Sequence, residues 1–116
     1  MSTRGAFSAS AIMALLAAPI LLAQQVPLVA RPGLDGARLF RDYACNSCHG
    51  EGGRNGLPGH PVLSGQDPQY LMAQLLAFKS GQRANGMAQT MIGTVATIPD
   101  DELTAIALYL SAQSCR

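Results

Sequence analysis

The chain has 116 residues, a formal charge of +1, 48% hydrophobic content and only 5% aromatic content, with no tryptophan. That length holds one small domain, and a fold so poor in large side chains needs a metal or covalent cross-links to supplement burial. No run of Lys or Arg marks a nucleic-acid surface, and no acidic tail marks a solvating segment, so both classes are set aside.

Residues 1–30 read as an address and a short lead-in. Arg4 precedes an uncharged run from Gly5 to Ala23, rich in Ala, Leu and Ile. That is the build of an export signal: a basic start, an apolar middle and small residues near the end. Cleavage after Ala23 or Ala30 is expected, although each candidate site has Leu at −3. The alternative is an uncleaved membrane anchor, for which the run is near the lower length limit and is interrupted by Pro19. The segment contains no cysteine, which excludes a lipoprotein anchor. Loss of Arg4 leaves a neutral mature chain, whose folded domain is expected over 31–116. Arg31-Pro32-Gly33 is its flexible start.

Asp35 to Tyr43 is expected to form a helix, with Asp35 as its N-cap and Leu39 with Phe40 or Tyr43 on its apolar side. It runs directly into Cys45-Asn46-Ser47-Cys48-His49. Two cysteines three apart with histidine after the second form the pattern for covalent attachment of haem c. Residues i, i+3 and i+4 of a helical turn share one face, so all three side chains meet one flat macrocycle. The thiols add across the haem vinyl groups as thioethers, and the imidazole becomes the proximal ligand to iron.

Two rival chemistries fit these residues less well. A redox Cys-x-x-Cys pair belongs in a βαβ context, and no strand pattern supplies one. A zinc site drawn from Cys45, Cys48, His49 and His60 would need tetrahedral convergence, which the adjacent Cys48 and His49 oppose.

Gly50 to Gly56 is too glycine-rich for a helix or strand and reads as a loop. A ligating histidine donates its second ring N–H to a carbonyl or carboxylate. The carbonyls of Pro58 and Pro61 are both candidate acceptors, and the sequence does not choose between them. His60, between these prolines, reads as a loop histidine outside the site.

A second helix is expected over Asp67 to Lys79, with Asp67 as N-cap, Pro68 at the first position and Gly81 as terminator. Tyr70, Leu71, Gln74, Leu75 and Phe78 recur along one side at helical spacing. The last helix is expected over Pro99 to Ala112. Asp100, Asp101 and Glu102 occupy its positive end, and Leu103, Ile106, Leu110 and the adjoining Tyr109 form its apolar face. Three main helices with loops make the fold all-α, wrapped around one covalently bound haem. Cys115 stands apart from every motif and reads as an unpaired thiol in a frayed tail; intermolecular pairing is the alternative.

Over Gly36 to Ala112 the sequence resembles the class I c-type cytochromes, most of all a bacterial branch of short domains found singly or as tandem dihaem pairs. The likeness rests on Cys45-x-x-Cys48-His49-Gly50, Pro61-x-Leu63-x-Gly65-Gln66, Tyr70-Leu71, Gln74-Leu75 and Phe78-Lys79-Ser80-Gly81-x-Arg83. It continues through Asp100 to Glu102 and Ala107-Leu108-Tyr109-Leu110. Gly36 with Phe40 and Ile106 with Tyr109 resemble the family's crossing of first and last helices. Ile98-Pro99 departs from the usual Leu-Ser, and His60-Pro61 is also less typical.

The resemblance implies Met91 as the second axial ligand, because it stands seven residues before Ile98 and the acidic start of the last helix. Met87 in the same expected loop is then the spare, and Arg83, Tyr70 and Gln66 are candidate partners of the haem propionates. The cofactor-binding residues are therefore Cys45, Cys48, His49 and Met91, with His49 and Met91 on the metal. Such a ligand set implies one-electron transfer in the periplasm, as a free carrier or as the cytochrome subunit of a respiratory or dehydrogenase complex. The partners are other redox proteins, with no nucleic acid. A haem enzyme with an open distal site is the alternative from another class.

Overall fold

The computed structural model describes residues 27–115, so the expected export segment over residues 1–23 lies outside the described residues. Among those described, the chain forms α1 (Gly36–Asp42), α2 (Cys45–His49), a 3₁₀ turn (Glu51–Gly53), α3 (Pro68–Lys79), α4 (Ala88–Val95) and α5 (Asp100–Ser111), with no strand. The all-α class is as expected. The three expected helices are α1, α3 and α5, and two shorter ones join them. The first is the haem-motif turn itself, and the second is α4, which occupies the stretch read as the methionine loop.

Local chemistry sets the helix ends. The Asp35 carboxylate accepts from the Arg38 N–H at 3.1 Å, and Asp67 accepts from the Tyr70 N–H at 2.8 Å. Each cap satisfies an otherwise orphaned donor and contributes about 0.5–2 kcal/mol. Pro68 takes the first position of α3, and Gly81 just beyond its end adopts φ +76°, a left-handed conformation that glycine reaches without steric cost. Between α1 and α2 the chain turns through Ala44 at φ 56°.

The core is two apolar clusters. One joins α3, α4 and α5 through Met72, Phe78, Ala88, Val95, Ile98 and Leu103. The other joins α1, α3 and α5 through Phe40, Leu71, Ile106, Ala107 and Leu110. Tyr43 and Leu75 pack against both. The expected stripe on α3 is rotated by part of a turn: Leu71 and Phe78 are buried, but Tyr70 is exposed and Met72 is in the core. Lys79 joins the end of α3 to the start of α5, donating to the Ile98 carbonyl at 2.5 Å and pairing with Asp100 at 2.7 Å.

α1 crosses α5 at close quarters. The Phe40 and Tyr109 rings lie 5.8 Å apart at an interplanar angle of 52°, an aromatic pairing favourable beyond its area burial. Gly36 lies against the Ala105 carbonyl and the Tyr109 Cβ, so any side chain there meets backbone. This is the crossing that the resemblance implied. Gly36→Ala is expected to destabilise the holoprotein by about 1–3 kcal/mol, the usual cost of overpacking, read as a lower denaturant midpoint in equilibrium unfolding.

Candidate haem site

α2 is a single turn with a specific cargo. Cys45 and Cys48 lie one turn apart and are half-buried, and His49 closes the helix with only 5% of its surface exposed. Cys45 packs against the Phe40–Leu71–Leu110 cluster, and burial is the main cause that pushes its thiol up to about 11. Before attachment it is therefore a protonated thiol at neutral pH. Gly50 ends the helix at φ 76° with the Asn55 backbone directly beneath it, which lets the following loop fold back under the motif. The Leu57 N–H then donates to the Cys48 carbonyl at 2.8 Å.

That loop decides between the two proline carbonyls. His49 Nδ1 lies 2.9 Å from the Pro61 carbonyl oxygen, whereas the Pro58 carbonyl faces His60 Nδ1 at 3.4 Å. A carbonyl only accepts, so His49 Nδ1 carries the proton and a neutral ring has its lone pair on Nε2. Nε2 is buried and has no hydrogen-bond partner among the described residues. An unsatisfied buried nitrogen costs about 1–3 kcal/mol, and a metal bond removes that cost. Desolvation lowers the His49 pKa, against the opposing effect of the Pro61 hydrogen bond, and this keeps the ring in its ligating form. An orphaned imidazole nitrogen beside two thiols one turn apart fits a covalent haem.

The other expected residues fall in several places. Met91 sits within α4, half-buried, and packs with Ile92 against the cluster of α3, α4 and α5. Met87 caps the same helix and is 66% exposed. Of the candidate propionate partners, Arg83 donates to Gln74 at 2.7 Å and covers the Phe78 ring at 4.6 Å. The Gln66 side chain accepts from the Asp67 N–H at 3.0 Å. The His60 ring stands edge-on to His49 with centroids 5.8 Å apart.

The C-terminal tail is tied, not frayed, through residue 114: Arg54 donates to the Ser114 carbonyl and the Gln113 side chain, each at 3.1 Å. Cys115 beyond it is exposed. A feature that sequence reasoning missed is the 2.5 Å hydrogen bond from the Tyr43 phenol to Glu102. Its partners are 59 residues apart, and no local pattern pairs them.

A family model described as Cytochrome c matches residues 34–114. The chain is 36% identical over 69 residues to cytochrome c-554(548) of Halomonas halodenitrificans, a match covering 60% of this chain and 83% of that one. It is 38% identical over 82 residues to the thiosulfate dehydrogenase electron acceptor of Stutzerimonas stutzeri, covering 71% of this chain but 38% of the relative. Cytochrome c4 of Azotobacter vinelandii is 36% identical over 69 residues, covering 58% and 33%. The match thus spans most of the first relative and about a third of the other two.

The lowered His49 pKa fixes the sign of one pH effect. Above the ordinary value of 6.5 the ring is neutral whether folded or unfolded, and stability is unaffected. As pH falls below 6.5 the unfolded chain takes up the proton first, and stability declines until the folded ring is also protonated. In the haem-free chain this component is expected to be level above pH 6.5 and to lower denaturant midpoints below it, and to be missing in His49→Ala, in unfolding titrations from pH 8 to pH 4.

Proposed function

The chain belongs to the cytochrome c family, and from that premise we propose that His49 and Met91 are the two axial ligands of its single covalent haem c. We propose further that it works as an exported one-electron carrier. Family membership makes it an electron-transfer protein rather than an enzyme, with a haem held through Cys45 and Cys48. The observation that supports His49 is its buried Nε2, without a partner among the described residues, whose tautomer the Pro61 carbonyl holds. Met91 rests on its place seven residues before Ile98 and on the resemblance.

Haem bound there supplies one Fe(III)/Fe(II) couple. The residues around it do the rest. Cys45 and Cys48 anchor the cofactor on α2, and the Pro61 carbonyl keeps His49 neutral and aimed. Met91, held against the α4 cluster, offers a soft thioether that favours the reduced metal and raises the potential above that of two imidazoles. With His49 and Met91 both on the metal, no ligand position would remain for a substrate. The apolar clusters keep water away and so reduce the reorganisation that each transfer would require.

Residues 1–30 serve as the export segment and lead-in, and 31–116 as the cytochrome domain, which places the carrier in the periplasm. The composition of Gly5 to Ala23 supports this. No helix of the described residues is long and apolar enough to cross a membrane. Redox proteins are the partners, and a dehydrogenase is the proposed donor. Two relatives named thiosulfate dehydrogenase electron acceptor, at 38% and 39% identity, support that class of donor.

Met91→Ala is expected to abolish the far-red methionine–iron charge-transfer band of the ferric protein and to open the iron to cyanide. The potential should fall by a sizeable part of the roughly 0.8 V over which axial ligands set haem potentials. Met87→Ala should leave the spectrum and potential unchanged. A wild-type ferric protein that is high-spin and binds cyanide directly would instead favour an open-site haem enzyme.

A further inference from the structure

Resting on the ligand assignment above, we propose that Tyr43 is a positioning residue for the haem: its hydrogen bond to Glu102 holds the Met91 side of the site at a fixed distance from the Cys45 side. Tyr43 is the C-cap of α1 and stands two residues before Cys45, with only Ala44 between them. Glu102 lies in the first turn of α5 and immediately precedes Leu103, which is buried in the cluster that Met91 packs against. The phenol donates to the Glu102 carboxylate at 2.5 Å across a separation of 59 residues. The Tyr43 ring contacts both apolar clusters, the one that includes Cys45 and the one that includes Met91.

α3 and α5 each contribute to both clusters, and the Tyr43–Glu102 bond adds a directional tie between the end of α1 and the first turn of α5. Leu75 also touches both clusters, but an aliphatic contact slides with little change in energy. A hydrogen bond to an ionised acceptor is short, directional and stronger than a neutral one. It also persists at neutral pH, since the bond to Glu102 raises the Tyr43 pKa and keeps the phenol a donor. Loss of the anchor would let α5 and the α4 segment shift relative to α2, and the bond most exposed to such a shift is the thioether of Met91. It is held only by packing, whereas His49 follows directly on a covalently attached turn.

The test is displacement of Met91 by added imidazole in the ferric holoprotein, read by bleaching of the far-red band. Tyr43→Phe and Glu102→Ala are each expected to bind imidazole about tenfold more tightly than wild type, the lower end of the range for a lost hydrogen bond to a charged group. Glu102→Gln keeps an oxygen that accepts from the phenol but loses the charge, and should fall between wild type and Glu102→Ala. Asp35→Ala, which loses a helix cap away from the site and a similar amount of stability, separates position from bulk stability, with unfolding followed by circular dichroism in every variant. Tighter imidazole binding in Tyr43→Phe and Glu102→Ala but not in Asp35→Ala supports the proposal, and should Tyr43→Phe not mature, Glu102→Ala carries the same comparison. Imidazole affinity equal to wild type in the Tyr43 and Glu102 variants, or an equal gain in Asp35→Ala, overturns it. A wild type with no far-red band overturns the Met91 assignment beneath it; a wild type with the band and unaltered variants overturns only the role of Tyr43.

Discussion

The hydrogen bond from His49 Nδ1 to the Pro61 carbonyl is the contact on which the rest of the structure depends. It commits one ring nitrogen to the protein and leaves the other, buried and unbonded, to a metal. Everything around it keeps that geometry in place. Gly50 lets the chain reverse after the motif, Leu57 bonds back to Cys48, and the Leu63 and Ser64 N–H groups both donate to the Gly53 carbonyl, at 2.8 and 3.2 Å. The Gly65 N–H then reaches the Leu110 carbonyl at 2.9 Å. The loop beneath the histidine is thus stitched to α2 on one side and to the end of α5 on the other.

Small clusters of medium-sized side chains surround this site, where a larger domain would have a broad core. Among the described residues the largest fully buried side chains are Phe40, Ile98, Leu103 and Val95. A flat aromatic cofactor held by two thioethers adds apolar contact and shortens the unfolded chain's freedom, both of which favour the folded state. The composition that made the bare polypeptide look under-filled is the composition of a protein that folds around its cofactor.

Features set by neighbours in the chain were legible in the sequence. The Cys45–His49 spacing is a property of one helical turn, and the Asp35 and Asp67 caps are three-residue interactions. The all-α class followed from the helical periodicity of α3 and α5 and the absence of alternation. Features set by loop closure were not legible: Pro58 and Pro61 are equivalent on paper, and only the fold-back of residues 50–61 separates them. α4 was hidden because Thr90, Ile92, Thr94 and Val95 are β-branched, which lowers helix propensity, and Gly93 lowers it further. Packing against Met72, Phe78 and Leu103 supplies what propensity does not. The place of Tyr70 on the outside of α3, and of Met72 within, depended on where α5 and α4 came to rest. Arg54's hold on the tail joins residues that no local rule brings together.

The most direct measurement is mass spectrometry of the tryptic fragment spanning residues 42–54, which contains both motif cysteines and His49. It should be taken from protein matured with the haem-attachment machinery, then alkylated and extracted with acidified acetone. The expected result is one fragment heavier by a single haem, with both cysteines closed to alkylation and the colour retained by the protein. A fragment that carries two alkyl groups and no haem, with the porphyrin in the organic phase, would contradict the covalent site and the electron-transfer reading built on it.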